Sequence, residues 1–347
     1  MSNKPSSLPH VLYAFQFPYW KRPVVRQCFP QGRIIFVEKS CALPEQGTLI
    51  LWGMRPVPAG VNPRMTLLRI EDGFLRSVGL GADLVRPISW IVDQQGIYYD
   101  ATQPSGLEII LSETQWDRQM LSRAALLRKR VVSAGLTKYN VGPSAWQCPK
   151  TTQRIILVPG QVESDASLAF GAPDIRNNMA LLQAVRAAQP DAYIVYKPHP
   201  DVHARLRAKG KNEDEAANWC NEIITNVSMG DLLMLVDEVH VITSLAGFEA
   251  LLRNKVVVCY GQPFYAGWGL TLDIIPHPRR QRSLSLDELV AGALFQYPLY
   301  LSRDGQQLIS PEQALDELAA WYTSTKGKDP WWRQVIRPFL RRIIGVR

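Results

Sequence analysis

From residue 154 onward the chain repeats one pattern: a short apolar run, a loop opening on small or polar residues, then apolar residues at helical spacing. Strands are predicted at 154–159 (RIILVP), 192–196 (AYIVY), 238–242 (EVHVI) and 255–260 (KVVVCY), with helices at 177–188, 228–236 and 245–253. Strands alternating with helices through short loops build a doubly wound parallel sheet. The first part has the same flavour, with strands predicted at 33–37 (RIIFV), 49–52 (LILW) and 66–70 (TLLRI), each followed by a Gly- or Pro-rich turn. Segments 88–93 and 97–99 read as a hairpin turning at Gln94-Gln95-Gly96. A helix is predicted over 114–134 with Gly135 as its C-cap, and amphipathic helices over 284–293 and 311–322. The polar, Pro- and Gly-containing stretch 141–152 divides the chain. The reading is therefore α/β, with units at 1–145 and 151–325 and a tail at 326–347.

At 347 residues with 46% hydrophobic content, the chain can bury two cores of ordinary size. Its net charge of +8 favours an anionic partner: a nucleotide, an acidic sugar, nucleic acid or anionic lipid. Much of the excess lies in the last segment, WWRQVIRPFLRRIIGVR, which holds five arginines and no acid. Nucleic acid is disfavoured because the basic residues cluster there without a stacking motif. The five cysteines, at 28, 41, 148, 220 and 259, are odd in number and lack CxxC spacing, so neither a disulfide framework nor a zinc cluster is expected. Reduced thiols fit a cytoplasmic protein. Neither a secretory leader nor an apolar stretch of about 18 residues long enough to span a bilayer is expected.

Ligands of open α/β sheets bind beyond the carboxyl ends of the strands, and four loops qualify. EDGF (71–74) offers Glu71 and Asp72 as a general base or as acceptors for a sugar hydroxyl, with Gly73 for close approach. Adjacent residues on extended backbone point opposite ways, so one of the two carboxylates is expected to face the ligand; the other reading is an acidic turn. GQVESDAS (160–167) brings Gln161 and Asp165, and Asp165 reads either as a reactive carboxylate or as a helix cap. In KPHP (197–200), Pro198 and Pro200 hold Lys197 and His199 extended, aiming a cation and an imidazole at a phosphate. TSLAGFEALL (243–252) offers Thr243, Ser244 and helix amides as a phosphate seat, and Glu249 for a ribose or base; the other reading makes Ser244 an ordinary N-cap and Glu249 solvated. The glycines and aromatics of GQPFYAGWGLT (261–271) nominate Tyr265 and Trp268 for sugar stacking. With neither GxGxxG before a helix nor a P-loop signature, dinucleotide and P-loop chemistry are disfavoured.

EDGFLRS, GIYYDA, GQVESDAS, KPHPDV, TSLAGFEALL and PFYAGWGLT occur here in that order. As an ordered set they resemble the motifs of bacterial capsule-polysaccharide β-Kdo transferases of the KpsC type, over about residues 65–300. The resemblance implies a GT-B-like plan, two Rossmann-like domains facing across a cleft. It implies transfer of Kdo (3-deoxy-D-manno-oct-2-ulosonic acid) from CMP-β-Kdo with retained configuration, without a metal, to the Kdo linker of capsule glycolipids. Lys197, His199, Pro200, Thr243 and Ser244 then correspond to the CMP phosphate site. Glu71 and Asp72 correspond to an acidic-Gly motif, and Asp165 to the carboxylate acting at the anomeric carbon. Arg76 is a candidate for the sugar carboxylate. The capsule enzymes commonly carry two such modules and this chain carries one, which implies a single linkage type or a single addition.

Retention by double displacement needs a carboxylate nucleophile and an acid/base partner. Asp165 would attack C2, and Glu71 or Asp72 would deprotonate the acceptor. The basic tail would hold the enzyme on the cytoplasmic face of the inner membrane, at an anionic surface and a lipid-linked acceptor. Two rivals stand beside this reading: an inverting, sialyltransferase-like CMP-sugar transferase, and a non-catalytic nucleotide- or glycan-binding module of an export complex.

Overall fold

The computed structural model describes residues 11–79, 85–140 and 146–325; the expected basic tail, 326–347, and the first part of the expected divide, 141–145, lie outside the described residues. Two sheets carry the fold. In the first, β1 (Val11–Phe15), β2 (Arg33–Val37), β3 (Gly47–Trp52) and β4 (Met65–Asp72) run parallel in the order β2-β1-β3-β4. The second contains β6 (Ile155–Pro159), β7 (Tyr193–Lys197), β8 (Glu222–Ile223), β9 (Glu238–Val241), β10 (Val256–Cys259) and β11 (Leu272–Asp273), in the order β11-β10-β9-β6-β7-β8. Every pairing within it is parallel. Its central strands are buried along their whole length, as helices on both faces require. The mixed α/β class read from the sequence is therefore the one observed.

The hairpin expected at 88–99 does not form. Instead β5 (Ser89–Asp93) pairs antiparallel with β4, so that Glu71 faces Ile91 and Asp72 faces Trp90. That partner lengthens β4 and puts both carboxylates at the end of a strand rather than in a loop after it. The other edge of β5 is taken by β12 (Pro298–Leu301), itself paired with β13 (Leu308–Ile309). The second unit expected at 151–325 thus returns its last strands to the first sheet, because β5 leaves an open edge that an antiparallel strand can fill.

The helix expected over 114–134 is observed as α3 (Arg118–Ser133), and a helix the sequence did not announce, α2 (Gly106–Glu113), precedes it. Asp117 caps α3 by accepting the Met120 N–H at 2.7 Å, which fixes its start. Gly135 ends α3 as predicted: its N–H reaches Val132 O and that of Leu136 reaches Val131 O, a Schellman closure. Helices α2 and α3, with α9 (Leu286–Val290) and α10 (Pro311–Thr325), share one apolar cluster with β9 and α8 (Leu245–Leu252). Through Leu127, Leu289, Leu315, Val239 and Phe248 the core runs continuously from one half to the other. Among the described residues no helix is long and apolar enough to cross a membrane.

Candidate active site

The carboxyl ends of both sheets open into one cleft of roughly 1590 Å³, room for a nucleotide sugar together with an acceptor. In the second sheet, β7 lies on one side of β6 and β9 on the other, so the crevice sits at a topological switch point. Gln161, after β6, bridges that point. Its carbonyl accepts the Thr243 N–H at 3.0 Å and its amide donates to Thr243 Oγ1 at 3.0 Å.

Lys197 ends β7 at 6% exposure, where burial pushes its ammonium down to about 8. Its one recorded contact is the carbonyl of Thr225 at 3.3 Å. His199 caps the single turn α6 (Pro200–His203): its Nδ1 accepts the Asp201 N–H at 3.1 Å. A neutral ring in that role carries its proton on Nε2, and burial lowers the imidazole's affinity for a second one. His199 is thus a directed neutral donor. Pro200 supplies the first residue of the turn, where a missing N–H costs nothing. His203 is exposed at the rim. Ser244 caps α8 by accepting the Ala246 N–H at 3.2 Å, and it also lines the cleft beside the first amides of that helix.

Asp165 caps α4 (Ala166–Gly171), with Oδ1 accepting the Ser167 N–H at 2.9 Å. The capping and reactive readings are compatible: the residue is exposed to the cleft, and Oδ2 has no partner among the described residues.

The opposite wall holds the carboxylate pair. Contrary to the expectation that one faces the ligand, both Glu71 and Asp72 line the cleft, because the chain turns away immediately after them. Glu71 Oε1 accepts the Asp72 N–H at 3.0 Å and Oε2 accepts the Tyr99 hydroxyl at 3.2 Å. A Cβ on Gly53, which has φ 51°, would fall 2.7 Å from both Glu71 Oε2 and the Tyr99 hydroxyl, so glycine there keeps this pocket open. Burial and then the charge of Asp72 push Glu71 up to about 7. Burial works against ionising Asp72 too, but Arg76, 2.7 Å away through Nε, and Lys21 outweigh it and hold Asp72 below the usual range. Two neighbouring carboxylates are thereby split into a permanent anion and a group that titrates near neutrality. Lys21, stacked over Trp52, is pushed down to about 8 by burial.

The capsule polysaccharide biosynthesis protein family matches residues 59–138 and 128–302. The chain belongs to that family. Capsule polysaccharide modification protein LipA of Neisseria meningitidis serogroup A is 43% identical over 324 residues, covering 90% of this chain and 46% of LipA. This family member thus spans about half the length of the LipA proteins it matches. Among solved structures, Thermosulfurimonas dismutans KpsC, beta Kdo 2,7 transferase, is 44% identical with a TM-score of 0.75, over 89% of this chain and 98% of that one. The beta Kdo 2,4 transferase of the same organism's KpsC is 30% identical with a TM-score of 0.76, at the same coverage. The KpsC-type resemblance carried by the six motifs is borne out.

Several assigned residues of this capsule-biosynthesis chain do different work from that expected. Tyr265 and Trp268 are fully buried and do not line the cleft; Tyr265 donates to Ser244 O, and Trp268 Nε1 donates to Phe264 O at 2.8 Å. Pro263 and Phe264 are the parts of that loop that reach the cleft. Trp268→Ala is expected to lower the unfolding free energy by about 3–5 kcal/mol in chemical denaturation, with donor KM unchanged; a raised KM at unchanged stability would return Trp268 to the substrate site. Gly73 contacts no ligand space: a Cβ there would lie 2.5 Å from Ser89 Oγ, so it permits the approach of β5. Arg76 lines the cleft as expected, and it also donates through Nε to Asp72 and, at 2.8 Å, through Nη1 to Ser77 Oγ. Glu249 is buried rather than solvated; its carboxylate, pushed up to about 7 by burial, accepts the Lys138 N–H at 2.6 Å.

Lys21, Tyr98, Tyr99, Lys138 and Tyr139 line the cleft and were given no role by the sequence. Tyr98 and Tyr99 stand inside the quoted motif GIYYDA, where a signal was available. Lys21 ends a single 3-10 turn (Tyr19–Lys21), and Lys138 and Tyr139 lie in an irregular segment; neither stretch carries a periodicity to betray them.

Proposed function

We propose that this chain is a retaining β-Kdo transferase of GT-B-like plan, taking Kdo from CMP-β-Kdo to a glycan or glycolipid acceptor in capsule assembly. The full-length likeness to the T. dismutans beta Kdo 2,7 transferase carries this reading. The greater sequence identity to that protein than to the 2,4 transferase favours the 7-hydroxyl of an acceptor Kdo as the site of attack.

In the first step a free oxygen of Asp165 attacks C2 of Kdo, and the bond from C2 to the CMP phosphate breaks with its electrons on the phosphate oxygen. Lys197, the His199 Nε2–H, Ser244 and the first amides of α8 offset the charge that develops there. These groups make a metal unnecessary for a monophosphate leaving group. In the second step the acceptor oxygen attacks C2 from the vacated face, Asp165 leaves as a carboxylate, and Glu71 takes the acceptor proton. Asp72 stays ionised beside Arg76 and tunes Glu71. The tail, read from sequence alone, would bring this chemistry to a lipid-linked acceptor on the cytoplasmic face of the membrane.

The test is turnover of CMP-β-Kdo with short synthetic acceptors, the product read by NMR. A β-linked product is the expected result. An α-linked product would remove Asp165 from the chemistry and leave an inverting transferase. CMP binding without turnover on any acceptor would leave a binding module.

A further inference from the structure

An ulosonic acid donor brings a second anion into the cleft, the carboxylate on C2 itself. Attack at C2 by one carboxylate is opposed by the charge of the other, so a cation is needed close to both. Lys197 and His199 face the phosphate side, and Arg76 already offsets its charge against Asp72 through Nε and holds Ser77 through Nη1.

Lys138 meets the requirement. It lines the cleft half-buried, and among the described residues its ammonium makes no hydrogen bond or ion pair. Its nearest recorded contact is the Tyr139 ring, 5.3 Å from Nζ to the centroid. Burial works against its charge, but Tyr139, Tyr98 and Asp165 favour it and the net displacement is upward. In turn its charge acts on Glu71, Asp72 and His199. It therefore stands electrostatically between the proposed nucleophile and the carboxylate pair.

The segment that carries it is held from several sides. Glu249 accepts the Lys138 N–H at 2.6 Å, and Lys138 O accepts the Ser77 N–H at 3.2 Å. Asn140, in the left-handed region at φ 53°, accepts the Thr137 N–H at 2.6 Å and donates to Ser77 O at 2.9 Å. Arg253 donates to Leu136 O at 3.0 Å. Glu249 and Arg253 both belong to, or directly follow, the helix whose N-terminus faces the phosphate site. A solvated surface lysine needs no such frame; a cation that must sit at a fixed place relative to the phosphate does.

We propose that Lys138 binds the carboxylate of the donor sugar and so selects an acidic ketose over neutral sugars. This rests on the Kdo-transferase reading above. The test compares wild type, Lys138→Met and Lys138→Arg for CMP affinity by calorimetry and for steady-state turnover of CMP-β-Kdo, with Lys197→Met as the phosphate-side control. In Lys138→Met the Kd for CMP stays within about twofold while kcat/KM for CMP-β-Kdo falls at least ~100-fold, the scale of a lost partner in a desolvated charge pair. Lys138→Arg recovers part of that loss, and Lys197→Met weakens CMP itself. Retained CMP binding also reports that the variants are folded. If CMP and CMP-β-Kdo weaken in parallel, Lys138 is a phosphate ligand and the proposal is overturned; unchanged turnover overturns it as well. A wild-type protein inert towards CMP-β-Kdo removes the donor assignment and this proposal together, whereas an active wild type beside an unaffected Lys138→Met removes this proposal alone.

Discussion

Asp165→Ala turns over CMP-β-Kdo at least ~10⁴-fold more slowly than wild type, the scale on which loss of a covalent nucleophile is felt. The fold of the site survives the change, because Asp165 is exposed and its one recorded side-chain bond is the cap to Ser167, a contact worth about 1 kcal/mol. The complementary experiment uses Glu71→Gln, which keeps the nucleophile and removes the base. Given donor alone and then a slow acceptor, this variant accumulates the first-step product, and a peptide map finds one sugar residue on the fragment that contains Asp165. An inverting enzyme would behave the other way round: Glu71→Gln would be inactive without any adduct, and Asp165→Ala would retain most of its rate. Wild-type turnover in the Asp165 variant would end the double-displacement scheme.

Lys197→Met loses about 10²–10³-fold in kcat/KM, as expected for removing one preorganised group from a developing charge. The pH profile gives an independent reading of the same residue. Glu71 must be ionised to accept a proton, so kcat/KM falls as pH drops below about 7. Lys197 must be protonated to meet the phosphate, so kcat/KM falls as pH rises above about 8. The free enzyme thus has a narrow bell. Bound phosphate favours the charged lysine, so the alkaline limb of kcat lies higher than that of kcat/KM. Lys197→Arg keeps its charge throughout this range and loses the alkaline limb. A limb that stays at the same pH in that variant would assign it to another group, Lys21 being the other lysine that burial pushes down to about 8.

Loops at the ends of parallel strands were legible because the strands were. β6 and β10 are apolar runs, β7 is apolar up to its terminal Lys197, and β9 alternates valines with the buried Glu238 and His240; short runs rich in Val and Ile between turn signals announce their own ends. Lys197, His199, Thr243 and Ser244 could be placed at the crevice from that alone. Antiparallel pairing was not legible: nothing local to Ser89–Asp93 specifies that one neighbour is β4 and the other comes from residues 298–301. The same limit misplaced Tyr265 and Trp268. An aromatic in a Gly-rich loop looks alike whether it meets a sugar or fills a core, and only the packing against Phe248 and Phe264 decides. Lys138 went unmarked because its backbone is held by Ser77 and Glu249, residues distant in sequence.

The return of β12 to the first sheet bears on how the chain is made. A ribosome delivers β1 to β5 first, yet the outer edge of β5 stays unpaired until residues 298–301 emerge. For most of synthesis an apolar strand edge waits beside a finished parallel sheet, open to pairing with any other extended segment. Loop closure over so long a separation is slow, and a nascent chain halted within the second sheet would carry that edge exposed. A gene fragment encoding residues 1–145 alone is therefore a poor candidate for a separately soluble half, and cuts that respect the two sheets would have to keep residues 298–309 with β1 to β5.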